Sequence, residues 1–208
     1  MLLVLIFVWP ETMQIGGFHP ASFNNYPGKV AAVVFTQGCN FCCPFCHNAG
    51  LIGFDPSSNF SEQDILARLA QRRGKLTGVV ISGGEPTLQR DLLSFCRCLG
   101  EMGFAVKIDT NGSMPEMLVE LIAAKVVDYI AMDLKAPLSK YDRLAGVATD
   151  TKAIRRSASL ISESGLPHHF RTTAVESLLS CQDLADIRKL IPAGSSYIVQ
   201  QFRPVVSL

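Results

Sequence analysis

"KVAAVVFTQGCNFCCPFCHN", residues 29–48, runs from an apolar, β-branched stretch directly into four cysteines within eight positions. Residues 29–36 read as a buried strand, because Val, Ala and Phe fit a pleated surface and nothing polar interrupts them between Lys29 and Thr36. The cysteines therefore sit in the loop leaving the strand's C-terminal end. They group in two ways. Cys39/Cys42 and Cys43/Cys46 form abutting C-x2-C pairs, or Cys39/Cys43/Cys46 form a C-x3-C-x2-C run with Cys42 left over. Either grouping points to a metal or cluster site in a reducing compartment.

Working outward, a β-type run and a helix-type run alternate. The strands predicted after the first are 78–82, 104–110, 127–135, 168–175 and 196–202, and the helices are 61–73, 88–103, 114–125, 150–165 and 181–191. Ser61 offers an N-cap and Pro115 lies in a first helical turn. Six β runs separated by five helices require parallel strands with right-handed crossovers. That pattern fits a doubly wound sheet or an incomplete β/α barrel. The position of the polar residues separates the two. The cysteine loop, "GGEP", "DTNG" and "DLK" follow four consecutive strands. Ligands gather at the C-terminal mouth of a β/α barrel. The expected fold is a partial (β/α)6 barrel with its site at that mouth.

Composition narrows the function. The chain has 208 residues, 48% hydrophobic and 18% charged, with a formal net charge of +1. That is an ordinary globular domain with no electrostatic reason to bind nucleic acid or an anionic membrane. The basic runs at 71–75 and 154–156 are read as solvated helix faces, and Cys96, Cys98 and Cys181 as buried small hydrophobes. Eight apolar residues after Met1 are too few to span a bilayer, and no basic leader or cleavage site accompanies them. Residues 1–12 are read as an upstream extension, 13–208 as one domain, and the protein as cytoplasmic.

A structural zinc site usually draws its two C-x2-C halves from separate turns. Abutting halves leave no chain to reorient the second pair, whereas a zinc-binding module stays the alternative from a different class. With Phe45 directly before Cys46, the loop resembles the signature of the radical S-adenosylmethionine (SAM) enzymes. The resemblance implies that Cys39, Cys43 and Cys46 bind one 4Fe–4S cluster and that SAM chelates its fourth iron. Reductive cleavage of SAM then yields methionine and a 5′-deoxyadenosyl radical, with cluster and SAM carrying the chemistry.

"SGGEP" (82–86) strengthens it. Alone, it reads equally well as a turn before a helix. Gly83 and Gly84 would let the backbone approach a ligand closely, and Glu85, followed by Pro86, offers a fixed carboxylate for a cationic group. It is similar to the family's SAM-ammonium motif. "DTNG" (109–112) and "MDLKAP" (132–137) then look like the glycyl-radical-enzyme activases. That likeness implies SAM contacts by Asp109, Thr110, Asn111, Asp133 and Lys135, and a monovalent cation held near Asp109, Thr110 and Asp133. Arg171 in "FRTT" is a further SAM-carboxylate or substrate-backbone contact, while His168, His169 and Gln201 have weaker claims.

Only 36 residues lie between Cys46 and Gly83, and none is cysteine, so no room exists for additional clusters. The small size, the cysteine loop and the "QQF" ending resemble the activating proteins of anaerobic ribonucleoside-triphosphate reductase. The implied partner is that glycyl-radical enzyme, and the implied electron donor a flavodoxin or ferredoxin. A small radical SAM enzyme acting on a free pterin or deazapurine precursor is the other reading. The resemblance covers roughly Gln14 to Pro204, leaving open a further C-terminal segment.

Overall fold

The computed structural model describes residues 13–54 and 60–203. Its seven strands are β1 (Ile15–Ser22), β2 (Ala31–Thr36), β3 (Gly78–Gly83), β4 (Ala105–Thr110), β5 (Tyr129–Asp133), β6 (His168–Ala174) and β7 (Ser196–Gln201). The helices are α1 (Glu62–Ala70), α2 (Leu92–Glu101), α3 (Pro115–Ala123), the short α4 (Tyr141–Ala145), α5 (Thr151–Glu163) and α6 (Cys181–Arg188). The expected cap at Ser61 is present, and α6 has one that the sequence reading did not name. Ser61 accepts the Asp64 N–H at 3.4 Å, and Ser180 and Asp183 form a reciprocal capping box at the start of α6. Each is worth about 1 kcal/mol.

The strands lie in chain order, and β2 to β7 are parallel. The sheet curls into a partial barrel that does not close, as expected. The strand count differs. β1, antiparallel to β2, was absent from the prediction. Its sequence, IGGFHPAS, carries two glycines and a proline, and its register slips between Ile15 and Gly17 and again between His19 and Ser22. An edge strand tolerates this because its outer backbone groups need no strand partner.

Alternation along each parallel strand gives the barrel two faces. Val34, Ile81, Ile108, Ile130, Met132 and Phe170 point outward and are buried with Leu69, Phe95, Leu99, Leu118, Ile154 and Ile161 from the helices. Each such side chain contributes about 1.5–3 kcal/mol through burial. The inner face is apolar in its lower half, where Ala31, Val33 and Val80 pack with Tyr26. Tyr26 meets Tyr129 edge-on, with ring centroids 5.8 Å apart. The upper inner face is polar. Ser82, Lys107, Asp109, Asp133, His169 and Arg171 lie there, so the site belongs to the barrel's own wall as well as to its loops.

Two expectations about cysteine are corrected. Cys96 is buried, and burial pushes its thiol up to about 12. Cys98 is only half-buried and Cys181 is exposed. Cys181 is the first residue of α6, where the capping turn faces solvent.

Candidate functional site

The cysteine loop is held by backbone hydrogen bonds on both sides. Gly38 and Cys39 donate to Leu51 and Ile52 at 2.8 and 3.0 Å, and Cys42 donates to Ala145 at 2.7 Å. Gly38 makes the turn at φ +94°, a left-handed conformation that favours glycine. Cys39, Cys43 and Cys46 border a cavity of about 300 Å³, whereas Cys42 is exposed and away from it. Burial raises the Cys39 thiol to about 12, helped by the nearby carboxylate of Glu85, and burial also raises Cys43. A metal or cluster bound by these thiols would displace their protons.

Among the described residues, no three His, Cys, Asp or Glu side chains converge closely enough to hold a single ion. A cubane cluster makes a different demand, since its thiolates sit on separate irons. Three soft donors along one cavity wall fit such a group.

Beside the cysteine loop lies the turn after β3, which borders the same cavity. The two glycines are needed there, but for packing of the chain on itself. A side chain on Gly83 would strike the backbone of Thr36, and one on Gly84 would strike the Gly38 carbonyl. That same carbonyl accepts the Glu85 N–H at 2.8 Å, so the turn is stitched to the cysteine loop. Glu85 is 1% exposed. Its Oε1 accepts from the Thr87 N–H at 3.0 Å and from the hydroxyls of Thr87 and Thr110 at 2.5 and 2.7 Å. Its Oε2 accepts from the Asn111 N–H at 2.6 Å and keeps one acceptor position. Burial raises this carboxyl and the four hydrogen bonds oppose that shift.

Across the barrel interior runs a ladder of alternating charge. Lys107 pairs with Asp109, whose Oδ2 lies 3.6 Å from Nη2 of Arg171. Arg171 Nε donates to Asp133 Oδ1 at 2.6 Å, and Lys135 Nζ donates to Asp133 Oδ2 at 2.9 Å. Register explains the central pair, because Asp133 and Arg171 are direct neighbours across β5 and β6. Burial would raise Asp133, but Arg171 and Lys135 outweigh it and hold the carboxyl below its ordinary range. Asp133 in turn raises Arg171, and it raises Lys135 against the opposing effect of burial.

Every residue predicted for the site borders this one cavity except Pro86, which is buried behind it in the turn that follows Glu85. His168 bonds Leu166 and Ser195 away from the cavity, and Gln201 bonds Glu176 at the surface. His169 is buried against the Tyr129 hydroxyl at 2.9 Å. Sequence reasoning missed Lys107, Asn40 and Gln200. Lys107 had a signal, since it precedes Asp109 by two positions on one strand and must share its face. Asn40 joins the cysteine loop to the DTNG loop through Asn111 at 3.0 Å and Ser113 at 2.8 Å. Gln200 brings β7 to the cavity. Beyond β7, Phe202 stacks on His47 of the cysteine loop at 5.1 Å.

The chain is 36% identical over 200 residues to a Methanocaldococcus jannaschii protein provisionally named as a glycyl-radical enzyme activating enzyme, covering 91% of this chain and 80% of that one. It is 32% identical over 141 residues to a protein of Saccharolobus solfataricus provisionally named GTP 3′,8-cyclase, covering 65% of this chain and 44% of the other. In fold it is similar to a radical SAM methyltransferase from Sphaerobacter thermophilus, with a TM-score of 0.68, 21% identity, and coverage of 90% of this chain and 60% of that one. The profile of the Radical SAM superfamily matches residues 33–188, from the middle of β2 to the end of α6. The span takes in the cysteine loop, the double-glycine turn and the charge ladder, and the chain belongs to the radical SAM superfamily of enzymes.

Proposed function

We propose that this enzyme is a glycyl-radical-enzyme activase, and that its partner is an anaerobic ribonucleoside-triphosphate reductase. The observation that carries the reading is one shared cavity. Cys39, Cys43 and Cys46 border it together with the double-glycine turn and Asp109, Asp133, Lys135 and Arg171 of the charge ladder. The similarity to the Methanocaldococcus protein over four-fifths of that protein's length supports the activase class.

In this reading the three thiolates hold a 4Fe–4S cluster, and the turn at Gly83, Gly84 and Glu85 receives the ammonium of SAM. When bound, the cluster would supply the electron for cleavage of SAM to methionine and a 5′-deoxyadenosyl radical, and that radical would take a hydrogen atom from a glycine Cα of the partner and leave as 5′-deoxyadenosine. A flavodoxin or ferredoxin delivers the electron. Lys135 and Arg171 set a positive potential beside the cavity that suits the methionine carboxylate. Phe45 packs the cysteine loop down, with 8% of its surface exposed. Among the described residues β7 is the last strand of the sheet, and entry of a partner loop there is supported by Ile198, 42% exposed, and by Gln200, which borders the cavity.

The test uses the reconstituted, reduced protein with SAM and the partner reductase. The reading predicts 5′-deoxyadenosine together with a glycyl-radical doublet by electron paramagnetic resonance, and loss of the doublet when the acceptor glycine is alanine. A doublet that persists in the alanine partner would overturn it.

The similarity to a GTP 3′,8-cyclase over two-thirds of this chain favours one second reading, turnover of a free metabolite. Acceleration of SAM cleavage by a purine or pterin precursor far beyond that by any reductase would select it.

A further inference from the structure

The activase resemblance brings a monovalent cation to Asp109, Thr110 and Asp133, and these residues do not fit one. All four carboxylate oxygens already face protein donors. Asp109 Oδ1 takes the Lys107 ammonium, and its Oδ2 faces the Ser82 hydroxyl at 3.4 Å and Arg171 at 3.6 Å. Asp133 gives one oxygen to Arg171 and the other to Lys135. The Thr110 hydroxyl is spent on Glu85 and accepts the Gly112 N–H at 3.0 Å. An alkali cation needs several oxygens free of donors at once, and it would enter beside three fixed positive charges in a buried site.

We propose that the Lys107 ammonium, tethered to the barrel wall, takes the place of that cation, so that this enzyme binds SAM without one. The inference rests on the reading of the cavity as a SAM site. Lys107 is 1% exposed, and its stem rises on β4 two residues before Asp109, so the charge reaches the carboxylate with little freedom to leave it. The Tyr129 ring, 5.9 Å from Nζ, adds a face suited to a cation. The ladder's three cations against two carboxylates leave one positive charge beside the cavity. The carboxylate in the methionine part of SAM complements that charge, its ammonium being left to Glu85.

The experiment measures SAM affinity of the cluster-reconstituted protein, anaerobically, in sodium, potassium or choline chloride at one ionic strength. The wild type is expected to bind equally in all three, within about twofold. Lys107→Met and Lys107→Gln should weaken SAM binding about tenfold in choline and regain it in sodium or potassium, a coupling of ordinary size. A wild type that binds SAM about tenfold more tightly with an alkali cation than with choline would overturn the proposal. So would variants that match the wild type in choline, or that lose affinity no alkali cation restores. If neither variant folds, the wild-type series decides alone. Failure of the wild type to bind SAM in any salt would instead overturn the reading of the cavity, and the inference with it.

Discussion

Glu85 accepts the hydroxyl hydrogen of Thr110 at 2.7 Å, and this contact ties the turn after β3 to the end of β4. The carboxylate is thus a structural hub of the cavity whatever ligand it meets. Glu85→Ala is expected to leave buried donors of Thr87, Thr110 and Asn111 without an acceptor. The cost should be at least about 2 kcal/mol. Urea denaturation of the cluster-free protein measures it. An unchanged midpoint would assign Glu85 to SAM alone.

Gly84 makes a related point about backbone. A methyl group there would meet the Gly38 carbonyl, and a main-chain atom cannot swing aside as a side chain can. Gly38 immediately precedes Cys39, so Gly84→Ala is expected to lower iron incorporation along with SAM affinity. Iron analysis and SAM titration on one preparation separate the outcomes. Loss of SAM binding with full iron content would mean that the glycine is bare for the ligand's sake.

His169 supplies the pH dependence. Burial depresses it to about 4, and Lys107 and Arg171 reinforce the effect. The unfolded chain therefore binds a proton that the folded chain refuses between about pH 6.5 and 4, and stability falls as pH drops through that window. The thermal midpoint of the cluster-free protein should decline on acidification from pH 7 to 5, and less so in His169→Gln. Parallel profiles for the two proteins would remove His169 from the account.

Much of this was legible in the sequence, because barrel chemistry sits at strand ends and strand ends are marked by a change from apolar to polar residues. The cysteine loop, Glu85, Asp109 and Asp133 all mark such ends, and the resemblance to the radical SAM activases gave them their roles. β1 was not legible, since Gly16, Gly17 and Pro20 mask its alternation and only pairing with β2 makes it a strand. Lys107 was passed over as an ordinary strand residue, although its spacing from Asp109 fixed its face. The contact of the Lys135 N–H with the buried Tyr141 hydroxyl at 3.4 Å crosses an irregular turn that no periodicity encodes. Cys181 resembled a core residue because a helix's first position carries no facing signal.

In the proposed function Cys39, Cys43 and Cys46 hold a cluster with one iron open to SAM, while Cys42 stands aside. The most direct measurement is the electron paramagnetic resonance spectrum of the reduced, reconstituted protein before and after SAM is added. The signal expected is that of one reduced cluster per chain, with about four irons by chemical analysis of the same sample, and it should change on adding SAM. Cys42→Ala should keep both the signal and the change, and Cys39→Ala, Cys43→Ala and Cys46→Ala should each lose the signal. A spectrum indifferent to SAM, or a Cys42→Ala protein without a cluster, would contradict it.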